Sequence, residues 1–179
     1  MDKYYYFAAQ LPTLFFKQKD FMSEEYFLEE AKKWLGKKDI TIIVNVKLSQ
    51  FKIKNEKLSF LKKWLNFENE LRSEIVEYRK SRLQNHQFNS KIFSTSLLND
   101  KSPLEIEKLF LKLRWEYIED MKVEHYSDLQ FLILYFLQLQ ILTRLSSFDE
   151  EIGKDNFSEL ITLEEDEEDE NENINANEN

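Results

Sequence analysis

Between residues 55 and 82, Phe60, Trp64, Phe67, Leu71, Ile75 and Tyr78 recur at steps of four, three, four, four and three. That spacing keeps one face of an α-helix apolar for about 27 Å, at about 1.5 Å per residue. The opposite face carries Lys62, Lys63, Glu70, Glu77 and Lys80. A stripe of this length predicts a helix from about Asn55 to Arg82, packed in an antiparallel bundle. A second pattern follows Ser102-Pro103-Leu104-Glu105, which joins a cap, a proline in the first turn and a capping-box glutamate. It predicts a helix to about Lys122. Ile106, Phe110, Leu113, Tyr117 and Met121 form one apolar flank, and Leu104, Leu111, Trp115 and Ile118 the other. Ser127-Asp128-Leu129-Gln130 reads as another capping box, opening a helix that is apolar almost all round to Leu145 and therefore central.

The remaining segments are shorter. Residues 4–16 are dense in aromatics and interrupted by Pro12, which suggests a short strand or helical turn up to Leu11 and then a loop. Ser23, Glu24 and Glu25 open a helix that Gly36 closes. Thr41, Ile42, Ile43, Val44 and Val46 have strand propensity, but a lone strand would lack a partner, so helix is preferred, with Asp39 as its cap. Residues 84–101 form a polar connection, with Ile92, Phe93, Leu97 and Leu98 as candidate anchors. Residues 148–163 read as a weaker amphipathic helix broken near Gly153. Residues 164–179 are too polar to fold and are expected to form a disordered tail. The fold class is thus all-α: a single helical domain over 1–163, with three long helices and a short aromatic N-terminal segment.

Composition changes this picture in two ways. Two glycines and two prolines supply too little turn chemistry for a sheet-rich protein. The absence of cysteine excludes disulfides, iron–sulfur clusters and thiol nucleophiles. The net charge of −9 is localised, because residues 164–179 contain nine acidic and no basic side chains, which leaves 25 of each sign in the rest. A charge-balanced body is not the basic surface expected of a nucleic-acid binder. The tail can be read as a solubilising appendage, a lure for a basic partner, or a nucleic-acid mimic. The start lacks the pattern of a signal peptide. The apolar run from Leu129 to Leu142 is shorter than a bilayer span and contains Gln130, Gln138 and Gln140, so a soluble protein without membrane insertion is expected.

Candidate chemistry is sparse. His86 and His125 lack the Glu-x-x-His spacing of di-iron bundles and the His-Glu-x-x-His of zinc hydrolases. His125, Ser127 and Asp128 invite a triad, but all three crowd one helix start. Glu116, Glu119 and Asp120 read as a solvated face rather than a cation site. No metal, cofactor or catalytic residue is therefore assigned. Glu107 and Arg114 fall within the apolar arc of their helix. A charge there needs a partner, either an internal carboxylate or another subunit.

Two segments resemble a known family. Lys3-Tyr4-Tyr5-Tyr6 with Leu11-Pro12-Thr13-Leu14 is one. The other runs from Ser102-Pro103-Leu104-Glu105-Ile106-Glu107 through Arg114-Trp115-Glu116-Tyr117-Ile118, then Asp128, Leu132, Tyr135, Leu137, Leu139, Ile141 and Arg144. They resemble the opening and the C-terminal helical pair of a small bacterial family of unassigned function. That family is encoded among genes of V-type (archaeal-type) ATP synthases and is distantly similar to their all-helical C subunit, called d in eukaryotes. The resemblance implies a non-catalytic accessory or central-stalk-like subunit of an ATPase that transports protons or sodium. Its partners would be V-type ATPase subunits, and it would be cytoplasmic or held at the inner membrane through the complex. Candidate contacts are Tyr4, Tyr5, Arg114, Trp115 and Arg144. A free-standing adaptor or assembly chaperone, using its acidic tail to engage a basic partner, is the alternative.

Overall fold

The computed structural model describes residues 3–48, 59–98, 100–123 and 125–148. All regular structure among the described residues is helical: α1 (Lys3–Gln10), α2 (Glu24–Trp34), α3 (Lys37–Asn45), α4 (Ser59–Gln84), a 3-10 turn (Thr95–Leu98), α5 (Pro103–Lys122) and α6 (Leu129–Ser146). The chain divides into two units, residues 1–143 and 144–179. The expected helix over 148–163 and the acidic tail fall almost wholly outside the described residues.

The aromatic start is a helix. α1 buries Phe7, whose ring lies 5.3 Å from that of Phe27 on α2. It ends just before Leu11-Pro12, where the residue preceding proline is steered away from helical angles. Ser23 caps α2 as expected, its Oγ accepting from Tyr26 N at 3.1 Å. Gly36 does not close α2, which ends in Leu35; it is instead the N-cap residue of α3, at φ −75°. Asp39 is correspondingly not a cap. It sits in the first turn of α3 and accepts a hydrogen bond from Tyr4 Oη at 3.1 Å. The strand-prone run over 39–48 is helical to Asn45, burying Ile43.

α4 and α5 run antiparallel. Their pairing is fixed by Phe67 stacked on Tyr117 at 3.9 Å, by Glu68 against Arg114, and by a cluster of Leu71, Phe93, Leu98 and Phe110. Asn85 ends α4 in the left-handed region at φ 52°, and His86 N donates back to Ser81 O, a Schellman closure. The polar connection after it is held by Glu74, whose carboxylate accepts from Ser90 Oγ and from the backbone N–H groups of Lys91 and Ile92. Phe93 and Leu98 anchor it in the apolar cluster, whereas Leu97 is exposed and anchors nothing. The Ser102–Glu105 capping box is present in both directions. At α6 the cap is Asp128 rather than Ser127, its Oδ1 accepting from Phe131 N at 2.8 Å.

α6 is the central element of the first unit. Leu132 to Leu139, Ile141 and Leu142 are all buried. Tyr135 and Phe136 stack on Phe27, and Tyr135 Oη donates to Pro12 O at 2.9 Å, tying the loop after α1 to the core. Burial raises the Tyr135 phenol well above its ordinary pKa. By length and composition α6 is also the one described helix able to cross a membrane.

Candidate functional site

The most constrained polar group is at the α4–α5 interface. Glu68 is 1% exposed and Arg114 7%. Arg114 Nε donates to Glu68 Oε2 at 2.9 Å and Nη2 to Oε1 at 2.8 Å, a bidentate pair. Arg72, one turn after Glu68, donates its Nε to the same carboxylate at 2.6 Å and its Nη2 to Leu48 O at 3.3 Å. Two guanidinium groups thus share one carboxylate. This corrects the subunit-contact reading of Arg114, whose partner is internal and whose head is not presented to another chain. Trp115 is corrected likewise: it is buried and meets Phe16 edge-on at 5.7 Å. Glu107, the other charge within the apolar arc of α5, is half-buried.

The glutamines of α6 are engaged as well. Gln140 Oε1 accepts from Leu48 N at 2.8 Å while its Nε2 donates to Val46 O at 2.9 Å, clamping the backbone that leaves α3. Gln138 accepts from Lys122 Nζ and donates to Glu119 at the end of α5. Gln130 Nε2 donates to Met121 O. Among the described residues no buried side-chain nitrogen or oxygen lacks a partner. Such saturation rigidifies a core and leaves little polar capacity there for a ligand.

The remaining candidate chemistry is structural in its visible roles. His125 Nδ1 lies 2.5 Å from Asp128 Oδ2, while the other oxygen of Asp128 caps α6. The pair therefore sits in the turn between α5 and α6, with Asp128 already committed to the helix. Glu116, Glu119 and Asp120 are exposed, Glu116 facing Lys112 at 3.5 Å and Glu119 facing Lys122 at 3.5 Å. No group of three or more metal-ligating side chains occurs among the described residues.

What the surface offers instead is apolar. Tyr4 is half-buried on Asp39; Tyr5 is exposed and meets Tyr6 edge-on, and Tyr6 stacks on Trp34 at 6.0 Å and 12°. Leu83, Leu97 and Leu104 are exposed at the last turn of α4, in the 3-10 turn and in the first turn of α5. The antiparallel pairing turns the last turn of α4 and the first turn of α5 towards the same end of the hairpin, and Leu97 lies in the connection between them. The sequence places Leu104 on an apolar flank of α5 and Leu97 among the anchors of the connection, and both are exposed instead; Leu83 stands outside the α4 stripe and gives no such signal. In the second unit, Arg144 is exposed, with its guanidinium 4.7 Å from the Phe148 ring centroid.

No curated protein and no solved structure matches the chain. Residues 90–168, less than half of the chain, are similar to a family described as a protein of unknown function, DUF2764. The match takes in the 3-10 turn, α5 and α6 and leaves α1 to α4 outside it.

Proposed function

We propose that this protein is a non-catalytic accessory subunit that docks on a V-type ATPase through the end of its α4–α5 hairpin. The observation that carries the docking surface is the exposure of Leu83, Leu97 and Leu104 on the last turn of α4, the connection and the first turn of α5 of a hairpin whose interior is locked by Glu68 and Arg114. A rigid support with exposed apolar side chains is suited to a protein contact, because little ordering entropy remains to oppose binding. The choice of partner rests on the resemblance carried by Lys3–Tyr6, Leu11–Leu14 and the α5–α6 residues. Arg144 remains a candidate contact, being exposed.

The test is affinity purification of the tagged full-length protein from native membranes. ATPase subunits should co-purify at a fixed ratio, and the Leu83→Ser/Leu97→Ser/Leu104→Ser variant should lose them while keeping its helical circular dichroism. Absence of ATPase subunits, or retention by that variant, overturns the reading. The adaptor alternative predicts a different outcome: binding that weakens with salt and disappears when residues 164–179 are removed.

A further inference from the structure

Two contacts bring the start of α1 to the junction of α2 and α3: Tyr4 with Asp39, and Tyr6 with Trp34. The junction is rich in lysine. Lys32, Lys33, Lys37 and Lys38 are all exposed around Trp34 and Gly36. Glu30 pairs with Lys33 at 2.5 Å, Glu29 is exposed on the same stretch of α2, and Asp39 is half-buried against Tyr4, so the exposed charges at the start of α3 are those of Lys37 and Lys38. Lys37 and Lys38 stand in the first turn of α3, where cations oppose the helix dipole. Helix stability does not account for them.

We propose that this corner is a contact surface for an anionic lipid bilayer, with Tyr5, Tyr6 and Trp34 at headgroup level and Lys37 and Lys38 reaching the phosphates. Tyrosine and tryptophan favour that level because each joins an apolar ring to a polar tip. Basic side chains beside them add attraction to anionic lipid.

Three other occupants fit less well. A nucleic acid would be read by arginine and by free ring faces. Residues 1–50 contain no arginine, and Tyr6 and Trp34 each spend a face on the other. An acidic protein is disfavoured by the same lysine-only composition, since lysine is depleted from protein interfaces. A second copy of the chain would set Lys37 and Lys38 against themselves. The apolar helix α6 takes no part, because its central residues are buried within the first unit. The contact is therefore in the plane of the membrane surface rather than across it, and it is independent of the ATPase reading.

The chain supplies its own probe. Of its three tryptophans, Trp64 and Trp115 are 2% and 6% exposed, and Trp34 is 37% exposed. Full-length protein would be titrated with phosphatidylcholine vesicles with and without phosphatidylglycerol, following tryptophan emission and acrylamide quenching. With anionic vesicles the emission should shift to the blue and quenching should fall, both reversed by salt. Trp34→Phe should abolish the optical response while leaving co-sedimentation largely intact. Lys37→Gln/Lys38→Gln should lower the partition coefficient at least about tenfold. Tyr126→Ala, at an exposed tyrosine in the α5–α6 turn, should bind as wild type. Equal binding to neutral vesicles, no binding to either, or wild-type binding by the lysine variant overturns the proposal. So does protection of Trp34 by a single-stranded oligonucleotide or an acidic peptide where anionic vesicles give none. ATPase co-purification is scored separately, so either idea can fail alone.

Discussion

Removing one member of the Glu68–Arg114 pair should cost far more than removing both. Glu68 accepts three charge-assisted hydrogen bonds, two from Arg114 and one from Arg72. Arg114→Leu leaves the carboxylate with Arg72, whose side chain is 39% exposed and so keeps access to water. The expected loss is about 3 kcal/mol, the lower end for breaking a buried pair. Glu68→Leu strands the Arg114 guanidinium at 7% exposure without the one carboxylate it contacts among the described residues, and should cost about 5 kcal/mol. Arg72 loses less, since it retains Leu48 O and solvent. The double variant leaves neither charge buried and should fall within about 2 kcal/mol of wild type, because apolar replacements of a buried pair are often neutral. The coupling energy is then about 6 kcal/mol. For a unit of 143 residues, a total stability of roughly 7–20 kcal/mol makes either single loss visible in a urea titration followed by circular dichroism. Additivity within about 0.5 kcal/mol would refute the reasoning, since independent sites add to that tolerance.

Other outcomes follow from single contacts. Ser102→Ala should destabilise by about 1 kcal/mol through loss of the α5 cap, measured by denaturant midpoint at constant m. The same change should weaken, without abolishing, the acid limb of stability, because the backbone N–H at position 102 still donates to Glu105 and only the hydroxyl is lost. The backbone N–H of Ser102 and, second to it, the Ser102 hydroxyl hold the Glu105 carboxyl below its ordinary value, so that contribution is present above the unfolded pKa and lost as pH falls through the folded one. Glu24 has the opposite sign, because burial raises its pKa. The folded state then binds more protons than the unfolded one between the ordinary and raised values, so stability falls as pH rises through that interval. Glu24→Gln should remove this slope in pH-dependent melting. Gln140→Leu strands both Leu48 N and Val46 O and should cost about 2 kcal/mol. Faster hydrogen exchange at the Leu48 amide would localise that loss, and an unchanged exchange rate would contradict the clamp.

Much of the architecture is legible in the sequence because it rests on local rules. The α4 stripe, the Ser102 capping box and the Ser23 cap each lie within a few residues of the groups they organise, and all three appear in the structure. Errors occur where local rules compete. Gly36 looks like a helix end but serves a helix start, because α2 and α3 are separated by only two residues and one glycine borders both. Asp39 looks like a cap but is recruited by Tyr4 from 35 residues away. The partner of Arg114 follows the same logic. Glu68 lies four residues after Trp64 and three before Leu71, so it falls inside the apolar stripe of α4. An acid within one stripe and an arginine within another are complementary demands, and matching them required only the antiparallel pairing the stripes already implied. Trp115 differs, because nothing near it in sequence indicates that Phe16 covers it.

The glutamines of α6 show what local pattern leaves undecided. An apolar helix of 18 residues passes the same length test whether its neighbours are lipid or protein. Gln130, Gln138 and Gln140 separate the two environments only through their partners. In hydrocarbon each amide would need an acceptor and a donor from another helix. Here Gln140 instead binds the non-helical backbone at Val46 and Leu48, more than 90 residues earlier in the chain. Backbone that has left a helix has unpaired groups to offer, and a buried amide can satisfy one donor and one acceptor at once. The seating of α6 thus depends in part on where α3 ends, at its C-cap Val46, as well as on Tyr135 and Phe136 stacking on Phe27. A substitution that lengthened α3 past Asn45 would deprive Gln140 of both partners. It should therefore destabilise α6 without altering a residue of it.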